Sequence, residues 1–184
     1  RLNRHLRPDW FFDRQAYGGI LTDIASHQID QFLLFTGSTD ALVVSSSVAN
    51  YANPDEPGLE DFGELVLRSD CAHGYVRVDW FTPDGLPTWG DGRLTILGTE
   101  GYIELRKYVD IAGRPGKDHL FLVDGKGTRH IDCSDVELPY GPALVQDVLN
   151  RTETAMGQAH CFKAMELALT AQAMAERGTT RARG

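Results

Sequence analysis

The chain has 184 residues, with 26 acidic side chains against 18 basic ones, a net charge of −8 with neutral histidines, and 42% hydrophobic residues. That length suffices for one domain with its own core. The negative charge and the lack of a Lys/Arg block argue against nucleic acid as a partner, and no apolar run approaches a membrane span or a signal peptide.

Arg1 to Pro8 is short and basic, and an extended conformation would put His5 and Arg7 on one side. Asp9 to Ala16, DWFFDRQA, offers Asp9 as an N-cap and reads as a helical turn that buries Trp10 or Phe11. Tyr17 to Gly37, YGGILTDIASHQIDQFLLFTG, is the clearest helix. Ile20, Leu21, Ile24, Ile29, Phe32, Leu33 and Phe35 approximate one apolar stripe. Gly18 and Gly19 precede it, and Gly37 stands where a left-handed C-cap belongs. Asp23 and His27 are four apart and share a face that Asp30 and Leu34 continue. A carboxylate beside an imidazole fixes its tautomer and raises its pKa, so the array suits proton transfer. An ordinary solvated pair is the other reading of the same spacing.

The period then changes. Leu42–Tyr51, Phe62–Arg68 and Tyr75–Phe81 read as strands. The last puts Val76, Val78 and Trp80 on one face and Tyr75, Arg77, Asp79 and Phe81 on the other. Thr82–Gly92 is a turn-rich loop. Arg93–Leu97 and Tyr102–Arg106 form a hairpin around Gly98 and Gly101, with glycines expected at positive φ. Tyr108–Asp118 is a second loop, and His119–Asp124 pairs with Thr128–Ile131. The count is six to eight strands in one large, mostly antiparallel sheet. Two helices follow: one from Pro142 to Asn150 with Leu144, Val145, Val148 and Leu149 inward, and one from Ala159 to Arg177. Phe162, Met165, Leu169 and Met174 are the expected buried stripe of the second, Gly178 its cap, and Thr179–Gly184 a mobile tail. His160 is expected to be exposed, and His73, His119 and His130 are assigned no role. Cys71, Cys133 and Cys161 suit unpaired thiols. The fold class is α+β, an open sheet with helices on one face and the other face free for subunit contact.

Gly18, Gly19, Asp23 and His27 spell GG-x-x-x-D-x-x-x-H. With the aromatic run before it, this stretch resembles the helix that opens the C-terminal domain of the glucose–fructose oxidoreductase / inositol dehydrogenase / MocA-like family. The likeness extends through the strand-rich middle to the two last helices. It implies a sugar, polyol or cyclitol substrate, with Asp23 and His27 catalytic and His5, Arg7 and Trp89 binding the substrate. His5 and Arg7 follow from an alignment through Pro8, with a solvated terminus as the alternative. Trp89 would stack on a pyranose face, or else simply anchor its loop.

The resemblance also implies NAD or NADP, bound mainly by a dinucleotide-binding domain upstream of Arg1. No G-x-G-x-x-G opens a helix here, and no Glu-Lys-Pro occurs. Residues 1–178 are thus read as the substrate and oligomerisation half of a two-domain enzyme, inactive alone, forming a homodimer or tetramer through the open sheet face. No metal is expected, and the expected location is cytoplasmic, with export by an upstream signal as the alternative. Glycosidase or isomerase chemistry on the same scaffold, a non-catalytic subunit, and a metal-assisted hydrolase using Asp23, His27 and a distant histidine are the rival readings, the last disfavoured because two ligands on one helix are too few for a catalytic zinc site.

Overall fold

The computed structural model describes residues 1–182, with side chains as far as Gly178. It divides into two compact units: a helix–sheet unit, Asn3–Phe81 with Tyr140–Gly184, and a four-stranded unit, Thr82–Pro139 with Arg1–Leu2. No described helix is long and apolar enough to cross a membrane.

In the helix–sheet unit, β1 (Leu42–Ala49), β2 (Phe62–Arg68) and β3 (His73–Asp79) pair antiparallel in that order. The register Ser46↔Leu65↔Val76 and Val43↔Leu67↔Gly74 gathers Val43, Leu65, Leu67, Val76 and Val78 into a buried face. After a short helix α1 (Arg14–Tyr17), a π turn (Leu21–Ala25), the helix α2 (Ser26–Thr36) that continues it, and α4 (Gln158–Ala182) pack against this unit's core. Two glycines let the helices lie this close. A Cβ at Gly63 would stand 2.6 Å from Ile20 Cγ2, and one at Gly74 2.6 Å from Phe32 Cδ2. Leu21, Ala25, Ile29 and Leu33 form the buried helical stripe, spaced by four residues. Ala25 joins it unforeseen, while Phe35 turns to solvent.

Three expectations about the helices are corrected. On α4, Phe162, Met165 and Leu169 are exposed, and Ala164, Leu167, Ala168, Ala171 and Ala175 are buried instead. Small residues win that face because the helix approaches β1 closely: Ser46 Oγ donates to the Ala171 carbonyl at 2.6 Å. The helix also runs through Gly178 rather than ending there. The expected mobile tail begins within it, and positions 183–184 lie outside the described residues. On α3 (Tyr140–Asn150), Leu144, Val145, Val148 and Leu149 are exposed, and Asp147 is the buried side chain. Asp147 accepts from Thr152 Oγ1 and Thr154 Oγ1 at 2.7 Å each, from Ala155 N at 2.7 Å and from Thr154 N at 2.9 Å. These bonds favour the anion and hold its carboxyl far below the usual carboxylate range.

The four-stranded unit carries β4 (Arg93–Leu97), β5 (Gly101–Arg106), β6 (His119–Asp124) and β7 (Gly127–Asp132), each antiparallel to the next. The seven strands thus fall within the expected number and are all antiparallel, but they form two ladders rather than one. Gly98 and Gly101 do not adopt positive φ as expected. Gly101 is required for closeness instead, since a Cβ there would collide with the Val123 carbonyl oxygen on β6. Among the described residues, this unit buries two side chains fully, Asp110 and His119, and both are polar. Asp110 binds Arg106 Nη1 at 2.7 Å and Arg114 Nη1 at 3.2 Å. His119 Nδ1 lies 3.0 Å from His130 Nε2.

Candidate active site

The site is built from the start of the π–α2 helix. Gly18 and Gly19 have φ of +86° and +92°, which residues with a Cβ rarely adopt. They swing the chain into the helix with its first amides unpaired inside the helix. Ile20 N donates to Glu60 Oε2 at 2.9 Å, and Leu21 N to Gln172 Oε1 at 3.1 Å. Gln172 Nε2 in turn donates to both Glu60 carboxylate oxygens, at 3.0 and 3.1 Å. The Arg14 guanidinium pairs with Glu60 at 3.2 Å and with Glu176. Tyr17 OH accepts from Glu60 N at 3.2 Å, and burial pushes its own pKa up. Glu60 stands on a loop fixed by its neighbour. Asp61, wholly buried, accepts from Tyr51 N, Ala52 N and Asn53 Nδ2 at 2.8 Å each.

From this fixed start, Asp23 lies within the π turn and His27 in the first turn of α2. Both are exposed, opposite the stripe Leu21–Ala25–Ile29–Leu33. Single π turns inside helices recur at functional sites. Asp23 is open to solvent on one side but crowded on the other. Burial raises its pKa above the ordinary carboxylate value, and the positive charges of Arg7 and His27 only partly oppose this. The three groups thus form one electrostatic cluster. Arg7 is held by aromatic rings: its Cζ sits 4.6 Å from the Phe11 ring centre and 4.8 Å from that of Trp80. Trp80 Nε1 and Thr22 Oγ1 are shut off from solvent without a hydrogen-bond partner among the described residues.

The other predicted residues fare differently. The segment with His5 is not extended. Asn3 adopts a left-handed conformation, Leu6 N and Arg7 N close back on Asn3 O and Arg4 O, and a 3-10 turn over Arg4–Leu6 results. His5 and Arg7 therefore do not share a strand face, and His5 is exposed. Trp89 belongs to the four-stranded unit, 61% exposed, its ring tilted against Tyr108 at 6.0 Å between centres. Its loop is tied by Arg1, whose guanidinium donates to Pro83 O at 2.7 Å. His160, expected to be exposed, is half-buried, with Nε2 2.6 Å from Asp30 Oδ1, one turn beyond His27. Glu60 and Gln172 carry no motif. The signal for Gln172 is a glutamine among the alanines at 164, 168, 171 and 175, a polar residue in a stripe of small ones.

A dinucleotide phosphate does not fit at the glycine pair. The amides a phosphate would need are taken by Glu60 and Gln172, and the Glu60 carboxylate repels an anion there. No group of three or more potential metal ligands occurs among the described residues, and the three cysteines are free thiols.

The family model for the GFO/IDH/MocA C-terminal domain matches residues 1–104. A crystal structure from Erwinia carotovora atroseptica, described as a "putative oxidoreductase", is 55% identical with a TM-score of 0.90. The match covers 94% of this chain and 52% of that one. A protein from Thermotoga maritima, described in the same words, shares the fold at 24% identity and a TM-score of 0.79, over 94% of this chain and 49% of its own. No protein of curated function matches. The fold and the match over residues 1–104 define a C-terminal domain of the GFO/IDH/MocA type. The chain belongs to the GFO/IDH/MocA family, and it spans about half the length of the solved relatives it matches.

Proposed function

We propose that this chain is the substrate-binding and oligomerisation half, residues 1–178, of an NAD(P)-dependent oxidoreductase acting on a hydroxyl of a sugar, polyol or cyclitol. The observation that carries this reading is the cluster of Arg7, Asp23 and His27 on the wet side of a helix buried on its other side. A general base for an alcohol must reach the hydroxyl from solvent-accessible space. His27 suits that role. Asp23, with a proton affinity above that of an ordinary carboxylate, orients the imidazole or accepts from a neighbouring hydroxyl. Arg7, stiffened by Phe11 and Trp80, would direct its guanidinium to ring oxygens of the substrate. The nicotinamide, held by a dinucleotide-binding half, would supply the hydride acceptor. His5 remains a proposed substrate contact, and Trp89 a proposed sugar-stacking residue on the four-stranded unit.

Self-association belongs to the same proposal. In the four-stranded unit, Leu94, Ile96, Ile103, Leu105, Leu120 and Leu122 share one face and are all only half-buried. A second copy would cover such a face. The activity is tested in the intact protein with NAD or NADP and a panel of polyols and aldoses. His27→Ala is expected to cut turnover roughly a hundredfold or more, and a near-normal rate removes His27 from the chemistry. Cleavage of a glycoside without net reduction of cofactor would reassign the reaction to a glycosidase.

A further inference from the structure

Asp23 and His27 lie on the first turns of their helix, where fraying is greatest and where the chain enters through two left-handed glycines. Such an entry leaves the rotation of the helix about its own axis unfixed unless something outside it takes the free amides. Two side chains do so, from different directions. Glu60, on the loop before β2, takes the Ile20 amide, and Gln172, on α4, takes the Leu21 amide. The carboxamide of Gln172 is spent completely: its oxygen accepts from Leu21, and its nitrogen donates to Glu60 and, at 3.1 Å, to Glu176. It is 3% exposed. Gly19 has no side chain because a Cβ there would collide with this carboxamide. Both glycines of the GG-x-x-x-D-x-x-x-H pattern thus serve the entry, one through its φ alone and the other through its φ and the space it leaves for Gln172.

We propose that Gln172 and Glu60 are positioning residues for the site, a two-point clamp on successive amides that sets the register in which Asp23 and His27 face the substrate. The inference rests on the reading of Asp23 and His27 as the site. Neither residue touches the substrate side, since both bind the opposite end of the same turn. The role of Glu60 is geometric rather than electrostatic: the charges acting on Asp23 are those of Arg7 and His27. A clamp released at either point lets the first turn fray and uncovers the crowded side of Asp23, relieving the burial that raises its proton affinity.

The test titrates the Asp23 carboxyl by carbon-detected NMR in the whole chain, together with hydrogen exchange at Ile20 and Leu21. In Gln172→Met, of similar shape but unable to hold either partner, the Asp23 midpoint falls toward the ordinary carboxylate range and both amides exchange faster. Glu60→Gln keeps an acceptor for Ile20 and leaves the midpoint in place. Ser46→Ala, which removes the Ser46–Ala171 tie between β1 and α4, lowers the melting temperature without moving the midpoint. Should Gln172→Met not fold, Glu60→Leu carries the same expectation. An unmoved Asp23 in a folded clamp variant overturns the proposal, as does an equal movement in Ser46→Ala. The titration needs no turnover. The clamp can therefore stand if the intact protein oxidises no polyol, and it can fall while the oxidoreductase reading survives.

Discussion

The two units solve stability in opposite ways. Every fully buried apolar side chain among the described residues belongs to the helix–sheet unit, from Phe11 and Ile20 through Leu65 and Val78 to Ala175. The four-stranded unit seals in only Asp110 and His119, and leaves its aliphatic face half-covered. Burial of apolar area is the main source of folding free energy. The first unit is therefore a rigid platform, and it carries the proposed catalytic pair. The second is held by ladder hydrogen bonds and a polar cluster, with its apolar side only half-covered.

The sharpest way to break this contrast is Asp61→Ala. It removes a wholly buried acceptor from three part-buried donors and is expected to cost about 3 kcal/mol. Calorimetry should show the helix–sheet unit melting early. A melting temperature within a degree or two of the unaltered chain would mean the loop before β2 does not hold the platform. Hydrogen exchange tests the contrast without mutation: paired amides of β2 should exchange at least about tenfold more slowly than those of β6. Equal protection would erase the distinction.

A charge on the aliphatic face probes what covers it. Leu105→Glu should shift the protein toward monomer in sedimentation, at a stability cost of about 1 kcal/mol for a half-buried leucine. An unchanged sedimentation profile would place the subunit contact elsewhere. Asp23→Asn gives the smallest and most diagnostic effect. The folded carboxyl binds its proton more tightly than the unfolded one, so stability falls as pH rises from the unfolded pKa through the folded one. Removing the charge should raise the melting temperature at neutral pH, and the gain should vanish in strong acid, where both states are protonated. A loss of stability at neutral pH would show that Asp23 is there for structure.

Much of the platform is legible in the sequence because its signals are local. The strand boundaries Phe62–Arg68, the alternation of Val76, Val78 and Trp80, and the Gly37 C-cap, with φ of +65°, all appear as expected. The Asp23–His27 spacing is legible for the same reason. What failed was the direction in which α3 and α4 face. Their largest apolar residues are the natural choice for a core, but α4 packs through alanines because the approach to β1 is too close for Phe162 or Leu169. The glycines at 98 and 101 misled in a similar way: a backbone contact with β6, not a left-handed turn, demands Gly101. The clamp was beyond reach, since Glu60 and Gln172 meet the glycine pair only in three dimensions.

The Leu21–Gln172 bond joins positions 151 residues apart, and this makes the proposed site a late product of synthesis. The helix bearing Asp23 and His27 leaves the ribosome about 150 residues before one of its two anchors does. A nascent polypeptide arrested before Gln172 should keep its first helical turn open to protease, and one arrested well past Ala175 should close it. Cleavage that is the same at both arrest points would show that the turn forms without waiting for its distant partner.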